Sequence, residues 1–183
     1  MNDITIRSLR DGCAYVPQDN FLFSDTIENN ISFGILPGNT DKVVYAAKLA
    51  DVHNNIAEFQ RGYETVLGER GVTVSGGQKQ RISIARALVK DAPILILDDA
   101  VSAVDTKTET AILQNLRTTR AGKTTILIAH RISTIESMDK ILFIDEGRLV
   151  AVGSHETLYA TNAAYRKMVD LQHLEEEGGK HNA

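Results

Sequence analysis

The sequence contains a single cysteine, Cys13, in 183 residues. That excludes an intrachain disulfide and a thiolate metal cluster, and it fits a reducing, cytosolic setting. Positive charge is not in excess either: 20 Lys and Arg stand against 24 Asp and Glu, a net charge of -4. Such a chain has no surplus of cations to neutralise the phosphates of a nucleic acid or to hold an anionic membrane surface. Long apolar runs are also missing. Those at 94–97, 126–129 and 141–144 are of strand length, and the opening MNDITIRSLRDG lacks the apolar segment of a signal peptide. Short unbroken runs suit strands of a sheet buried on both faces. The length suits one compact soluble domain with a core of its own.

What is present is an α/β pattern. Ala14-Tyr15-Val16 reads as a strand stopped by Pro17, followed over 18–23 by a loop with exposed aromatics that is plausible as an adaptable contact loop. From Asp25 to Ala92 the pattern is helical. Asp25 and Glu28 are placed as cap and partner of a first helix, and Val43, Ala46, Ala47 and Ala50 form an apolar stripe after Thr40. After Pro93 a strand over 94–98 alternates with a helix from Thr106, a strand over 125–129, a short helix and a strand over 141–145. That order predicts a mostly parallel sheet. Thr106 and Glu109 have capping-box spacing, and Asp145-Glu146-Gly147 supplies a hairpin turn into 148–152. A helix pair from Ser154 ends in Glu175-Glu176-Glu177-Gly178-Gly179, a solvated end expected to fray.

Two segments carry chemistry by residue type alone. Ser75-Gly76-Gly77-Gln78 precedes a helix whose apolar face includes Ile82, Ala85, Leu88 and Val89. Ser75 is placed to cap it, Gln78 falls at the third helical position, and two glycines let a phosphate approach the first free N–H groups. An ordinary capped helix would read the same way. The run Ile94-Leu95-Ile96-Leu97-Asp98 is an apolar strand that presents a carboxylate at its end, where an acid can hold Mg²⁺.

Context extends both. Gly68-Glu69-Arg70-Gly71-Val72-Thr73-Val74-Ser75-Gly76-Gly77-Gln78-Lys79-Gln80-Arg81, followed by Ile84-Ala85-Arg86-Ala87-Leu88, resembles almost continuously the signature segment of ABC nucleotide-binding domains, with Val74 where leucine is usual. The resemblance runs from about Tyr15 to Gln172. The loops Phe21-Leu22-Phe23-Ser24-Asp25-Thr26-Ile27 and Thr65-Val66-Leu67-Gly68-Glu69-Arg70-Gly71, the latter similar to the X-loop, point to exporters. The resemblance implies a partial RecA-like P-loop NTPase core with an inserted helical signature subdomain. Four segments follow: a residual core strand and Q-loop over 1–19, the helical subdomain over 20–92, the core over 93–155 and a helical tail over 156–183.

The resemblance also implies roles. Ser75, Gly76, Gly77 and Gln78 would close over the γ-phosphate of ATP held by a partner domain. Asp98, at the Walker B position, would hold Mg²⁺ with Gln18 of the Q-loop, which would also reach the attacking water. Asp99 falls where the family carries the glutamate that polarises that water. One methylene shorter, it is either a poor base or a carboxylate that only supports Asp98 and the next turn; a displacement of about 1 Å can cost on the order of 10²-fold in rate. Asp105, in Ser102-Ala103-Val104-Asp105, matches the D-loop that crosses the dimer interface. His130 matches the switch histidine that senses the γ-phosphate, although a histidine at a strand end is more often a satisfied polar residue. His53, His155, His173 and His181 do not cluster.

No G-x-x-x-x-G-K-[ST] segment occurs in these 183 residues. Gly122-Lys123-Thr124 imitates its end, but Arg117 stands where its first glycine belongs and the segment leads into a strand instead of out of one. The expectation is a C-terminal fragment of an exporter nucleotide-binding domain, with weak or absent ATP and Mg²⁺ binding of its own and exposed sheet edges. Its partners would be a second nucleotide-binding domain, with a heterodimer favoured by Asp99, and a transmembrane domain at the cytoplasmic face of the membrane. No nucleic acid is expected. A non-enzymatic remnant or interaction module is the main alternative, and a soluble ABC ATPase of the DNA-repair or translation kind is disfavoured by the exporter-type loops.

Overall fold

The computed structural model describes residues 4–35, 38–68 and 73–180, which fall into two compact units, residues 1–128 and 129–183. The elements of the first are α1 (Ile6–Gly12), β1 (Cys13–Val16), α2 (Ile27–Ser32), α3 (Thr40–Leu49), α4 (His53–Glu58), α5 (Gly76–Val89), β2 (Ile94–Asp98), α6 (Thr106–Thr119) and β3 (Thr124–Ile128). The strands form a parallel sheet in the order β1-β2-β3, with Ala14 opposite Leu95 and Leu95 opposite Thr125. Parallel pairing needs a crossover, and here α2 to α5 connect β1 to β2 while α6 connects β2 to β3. This is the mixed α/β architecture read from the sequence.

One face of that sheet is a core. Alternate residues Ala14, Val16, Leu95 and Leu97 are buried and belong to one apolar cluster with Ile82, Ile84 and Ala85 of α5, Ile27 and Ile31 of α2, and Ala46 and Ala47 of α3. α5 is the hub, since α2 and α3 both pack on it. Each fully buried isoleucine contributes about 1.5–3 kcal/mol relative to exposure.

The opposite face is only half covered among the described residues, which corrects the expectation of burial on both sides. Tyr15 and Ile126 flank Ile96 in one cross-strand row and are 55% and 46% exposed; Ile128 is 45% exposed. An unbroken apolar run only states that both faces are able to be buried. What covers the second face is decided elsewhere.

Two caps also differ from the sequence expectation. Thr26, not Asp25, caps α2: its Oγ1 accepts from Asn29 N at 3.0 Å, while Asp25 Oδ1 accepts from Thr26 N and Asn29 Nδ2. Asp105, not Thr106, caps α6, and Glu109 is buried. In both cases the extended residue one step away from the expected cap aims its oxygen at the free N–H groups. The Gly122-Lys123-Thr124 decoy is a turn between α6 and β3, with Lys123 paired to Asp91 at 2.5 Å.

The second unit holds α7 (Ile132–Ile135), β4 (Ile141–Asp145), β5 (Arg148–Gly153), α8 (His155–Thr161) and α9 (Ala163–Lys180). β4 and β5 form the expected antiparallel hairpin, whose turn residues Glu146 and Gly147 have φ of 46° and 72°. Its core is Ile132, Ile141, Leu158, Tyr165 and Val169, with the buried Tyr165 hydroxyl 3.0 Å from His155 Nδ1. Ser154 caps α8, and α9 runs through Gly178 and Gly179 to Lys180, where fraying was expected. His181 lies outside the described residues.

Candidate functional site

The site is built around the start of α5. Ser75 has extended backbone, its Oγ accepts from Gln78 N at 3.2 Å, and Gln78 Oε1 accepts from Ser75 N at 3.0 Å. This reciprocal box ties the chain at the helix entry. The first helical bond runs from Lys79 N to Ser75 O, so the N–H groups of Gly76 and Gly77 lie outside the ladder.

The two glycines differ. A β-carbon on Gly76 would meet nothing within 4 Å, whereas one on Gly77 would sit 2.9 Å from the Ala103 carbonyl oxygen. Gly76 leaves room for a ligand; Gly77 lets the helix pack against the 102–105 turn.

Gly76 and Lys79 line a cavity of about 320 Å³ together with Gln18, Asp19, Asn20, Gln80, Ser102 and Ala103. Three sequence segments far apart in the chain thus meet at one opening: 18–20, 76–80 and 102–103. A helix N-terminus and the Lys79 cation on one wall suit an anion. On the opposite segment, Asn20 Oδ1 is buried without a partner among the described residues, an acceptor that suits water or a hydrated cation.

The acidic pair follows β2. Asp98 Oδ2 accepts from the Tyr15 hydroxyl at 3.0 Å, and that bond to Asp98 holds the phenol above its ordinary range. Asp99 stands in left-handed backbone at φ 48°, with its N–H on Ile128 O and its carbonyl accepting from Gln80 Nε2 at 3.0 Å and Ser102 Oγ at 2.9 Å. Asp105 is spent as a cap: its carboxylate accepts from Thr108 Oγ1 at 2.7 Å and Thr108 N at 3.0 Å, which hold it below the usual carboxylate range. His130 belongs to the second unit, exposed, with its carbonyl accepting from Gln172 Nε2.

The 18–25 loop is held from beneath. Buried Asn30 accepts from Phe23 N and donates to Phe23 O, while Arg86 donates to Asn30 O, Asn30 Oδ1 and Phe21 O and lies 5.3 Å from the Phe23 ring centroid. Burial pulls the Arg86 guanidinium below its ordinary pKa. The loop also docks on residues 65–68. Leu67 N donates to Asp25 O, and Gly68, at φ 112°, lies so close to Ser24 that a β-carbon would meet its Cα at 3.1 Å. Glu69, Arg70 and Gly71 of that segment lie outside the described residues. Phe21 of the loop and Phe33 at the end of α2, whose ring centroid lies 4.7 Å from that of Phe23, remain more than 60% exposed and form an aromatic surface.

The ABC transporter family model matches residues 1–102. The chain belongs to the ABC transporter family. It is 48% identical over 176 residues to an ATP-dependent lipid A-core flippase of Hahella chejuensis, covering 96% of this chain and 30% of that protein. A protein of Staphylococcus aureus, provisionally named as a multidrug export ATP-binding/permease protein, is 45% identical, covering 95% of this chain and 30% of its own length. The structure is similar to that of a bacterial Atm1-family ABC exporter with ATP bound, with a TM-score of 0.88 and 47% identity over 92% of this chain and 30% of that one. The chain therefore spans about 30% of the length of the relatives it matches. Its ABC fold is a partial P-loop NTPase α/β core with a three-stranded parallel sheet. No helix among the described residues is long and apolar enough to cross a membrane.

Sequence reasoning missed Asn30, Gln80 and Arg86 as organisers of this candidate site. Each is polar and sits on an otherwise buried helix face, between Ile27 and Ile31 or among Ile82, Ile84 and Ala85. That interruption is the signal that would find them, because a polar side chain on a core face has a partner.

Proposed function

We propose that this chain is part of an ABC exporter nucleotide-binding domain and acts on ATP held by a second such domain, through Ser75, Gly76, Gly77 and Gln78. The observation that carries this reading is the open Gly76 above a reciprocally capped α5, beside the cavity shared with Gln18 and Ala103. In ATP hydrolysis the water oxygen bonds to the γ-phosphorus as the bridging P–O bond to ADP breaks. The Gly76 and Gly77 amides, which lie outside the helical ladder, and the Ser75 hydroxyl would donate to the γ-phosphate oxygens and hold them against that change in charge. Asp98 and Gln18 are the residues of this chain's own half that would hold Mg²⁺, whose chemistry is to neutralise phosphate charge.

Asp99 would serve a weak site, because its carboxyl is one methylene short and its carbonyl is tied to Gln80 and Ser102. This favours a heterodimer whose competent site combines the partner's P-loop with this chain's signature. His130 would report the γ-phosphate, and Asp105 would shape the D-loop by capping α6. The four-segment organisation, 1–19, 20–92, 93–155 and 156–183, belongs to the same reading. Exposed Phe21 and Phe33 would meet a transmembrane domain at the cytoplasmic face of the membrane. By themselves, the 183 residues are not expected to hydrolyse ATP, as they contain no G-x-x-x-x-G-K-[ST] segment.

The test is complementation. The chain is mixed with an exporter nucleotide-binding domain whose P-loop and catalytic acid are intact but whose own signature serine is replaced by arginine. Restored ATP hydrolysis that is lost again with Ser75→Arg is the expected result. Hydrolysis that stays at the level of the disabled domain overturns the reading.

A further inference from the structure

Resting on that reading, we propose that Gln80 is a positioning residue that locks the start of α5 and the 99–103 turn into one body, so that signature and D-loop reach a partner's nucleotide in fixed register. Gln80 is 3% exposed, one turn into α5 from Gly76. Its amide uses both ends on the same turn. Nε2 donates to Asp99 O at 3.0 Å and to Ser102 Oγ at 3.3 Å, and Oε1 accepts from Ala103 N at 2.9 Å.

Only a side chain with a donor and an acceptor on one planar group satisfies this turn. A buried amide serving three partners has no spare geometry, so the turn moves with the helix. Gly77 adds a second, independent tie, since its missing β-carbon lets the Ala103 carbonyl approach. Two ties fix a relative orientation where one would leave a hinge. The turn so held begins at Asp99, whose left-handed backbone needs support from its surroundings, and leads to Asp105 at the cap of α6. Gln80 spends its side-chain amide on Asp99, Ser102 and Ala103. Its effect is exerted through Gly76 on one side and residues 102–105 on the other.

The complementation assay tests this with two substitutions. Gln80→Met keeps the volume and removes every bond; Gln80→Glu keeps the acceptor for Ala103 N–H but sets a carboxylate oxygen against the Asp99 carbonyl. For Gln80→Met, kcat of the restored hydrolysis is expected to fall about tenfold, while the partner's KM for ATP changes by less than about twofold. Hydrogen exchange of the Ala103 amide in the 183-residue chain should speed up in Gln80→Met and stay slow in Gln80→Glu, with the Ile82 and Ile84 amides unchanged in both. A general loss of core packing would instead speed all of them. Where Gln80→Met does not fold, Gln80→Glu is read in its place, with the same split between kcat and KM expected. Restored hydrolysis that the substitutions leave at the unsubstituted kcat, or a loss confined to KM, overturns this proposal alone. No stimulation by the unsubstituted chain overturns the functional reading and this proposal with it.

Discussion

Gly77 stands so close to the Ala103 carbonyl oxygen that a β-carbon placed on it would lie 2.9 Å away. That contact joins the first turn of α5 to the loop that follows β2, although 26 residues separate them in sequence. Helix entry, cavity and acidic pair are therefore parts of one construction.

Gly77→Ala is the direct probe. Alanine is the better helix former, so an isolated helix would gain by about 1 kcal/mol. Here the neighbour is backbone, not the end of a flexible side chain, and overpacking of this kind costs about 1–3 kcal/mol. We expect a net fall in stability by urea denaturation, whereas Gly76→Ala, facing open space, should be neutral or stabilising. Equal behaviour of the two variants would contradict the packing role given to Gly77.

Asp105 gives a pH dependence with a definite sign. Its folded pKa lies below the ordinary 3.8 because Thr108 donates two hydrogen bonds to the carboxylate. The folded state thus favours the ionised form, and the stability this contributes is present above the unfolded pKa and lost as pH falls through the folded one. Acidification below about 4 should erode the capping of α6. Asp105→Asn, which keeps an acceptor but does not titrate, should flatten that part of the stability curve; thermal melting between pH 5 and pH 3 reads the difference, as rough limits around that window. An unchanged slope would remove Asp105 from the account.

The half-covered sheet face predicts self-association. Tyr15 on β1 and Ile126 and Ile128 on β3 expose apolar surface on either side of Ile96 on β2, a patch of the kind that finds another apolar surface. Ile126→Thr with Ile128→Thr should reduce concentration-dependent light scattering of the 183-residue chain while costing little stability, since both side chains are nearly half exposed already. Scattering that is absent from the unsubstituted chain, with a cooperative melt at high temperature, would show that this face needs no cover.

The strands and α5 were legible for separable reasons. Residues 94–97 are apolar and flanked by Pro93 and the acidic pair, and Ser75 and Gln78 specify their cap through bonds spanning only three residues. Local interactions of this kind are written in local sequence. The caps of α2 and α6 were displaced by one residue because Asp25 or Thr26, and Asp105 or Thr106, are all able to cap; the choice depends on which has extended backbone, and packing sets that. Asn30, Gln80 and Arg86 show in the sequence only as polar breaks in apolar faces; what they hold is not legible there, because partners such as Phe23 N for Asn30 and Phe21 O for Arg86 lie 7 and 65 residues away in the chain.

By itself, then, the sequence determined the five strands, the capped entry to α5 and the family likeness of the motifs, because each depends on residues within a turn or a strand of one another, while α1 was not read from it. Only the tertiary structure decided that Gly76 faces open space while Gly77 faces Ala103, that Gln80 serves the 99–103 turn, and that one sheet face is covered and the other only half covered. The physical reason is that steric approach, hydrogen-bond partnership and burial are properties of pairs. In a parallel sheet with long crossovers the pairs are distant in the chain, and no local pattern encodes which of them meet.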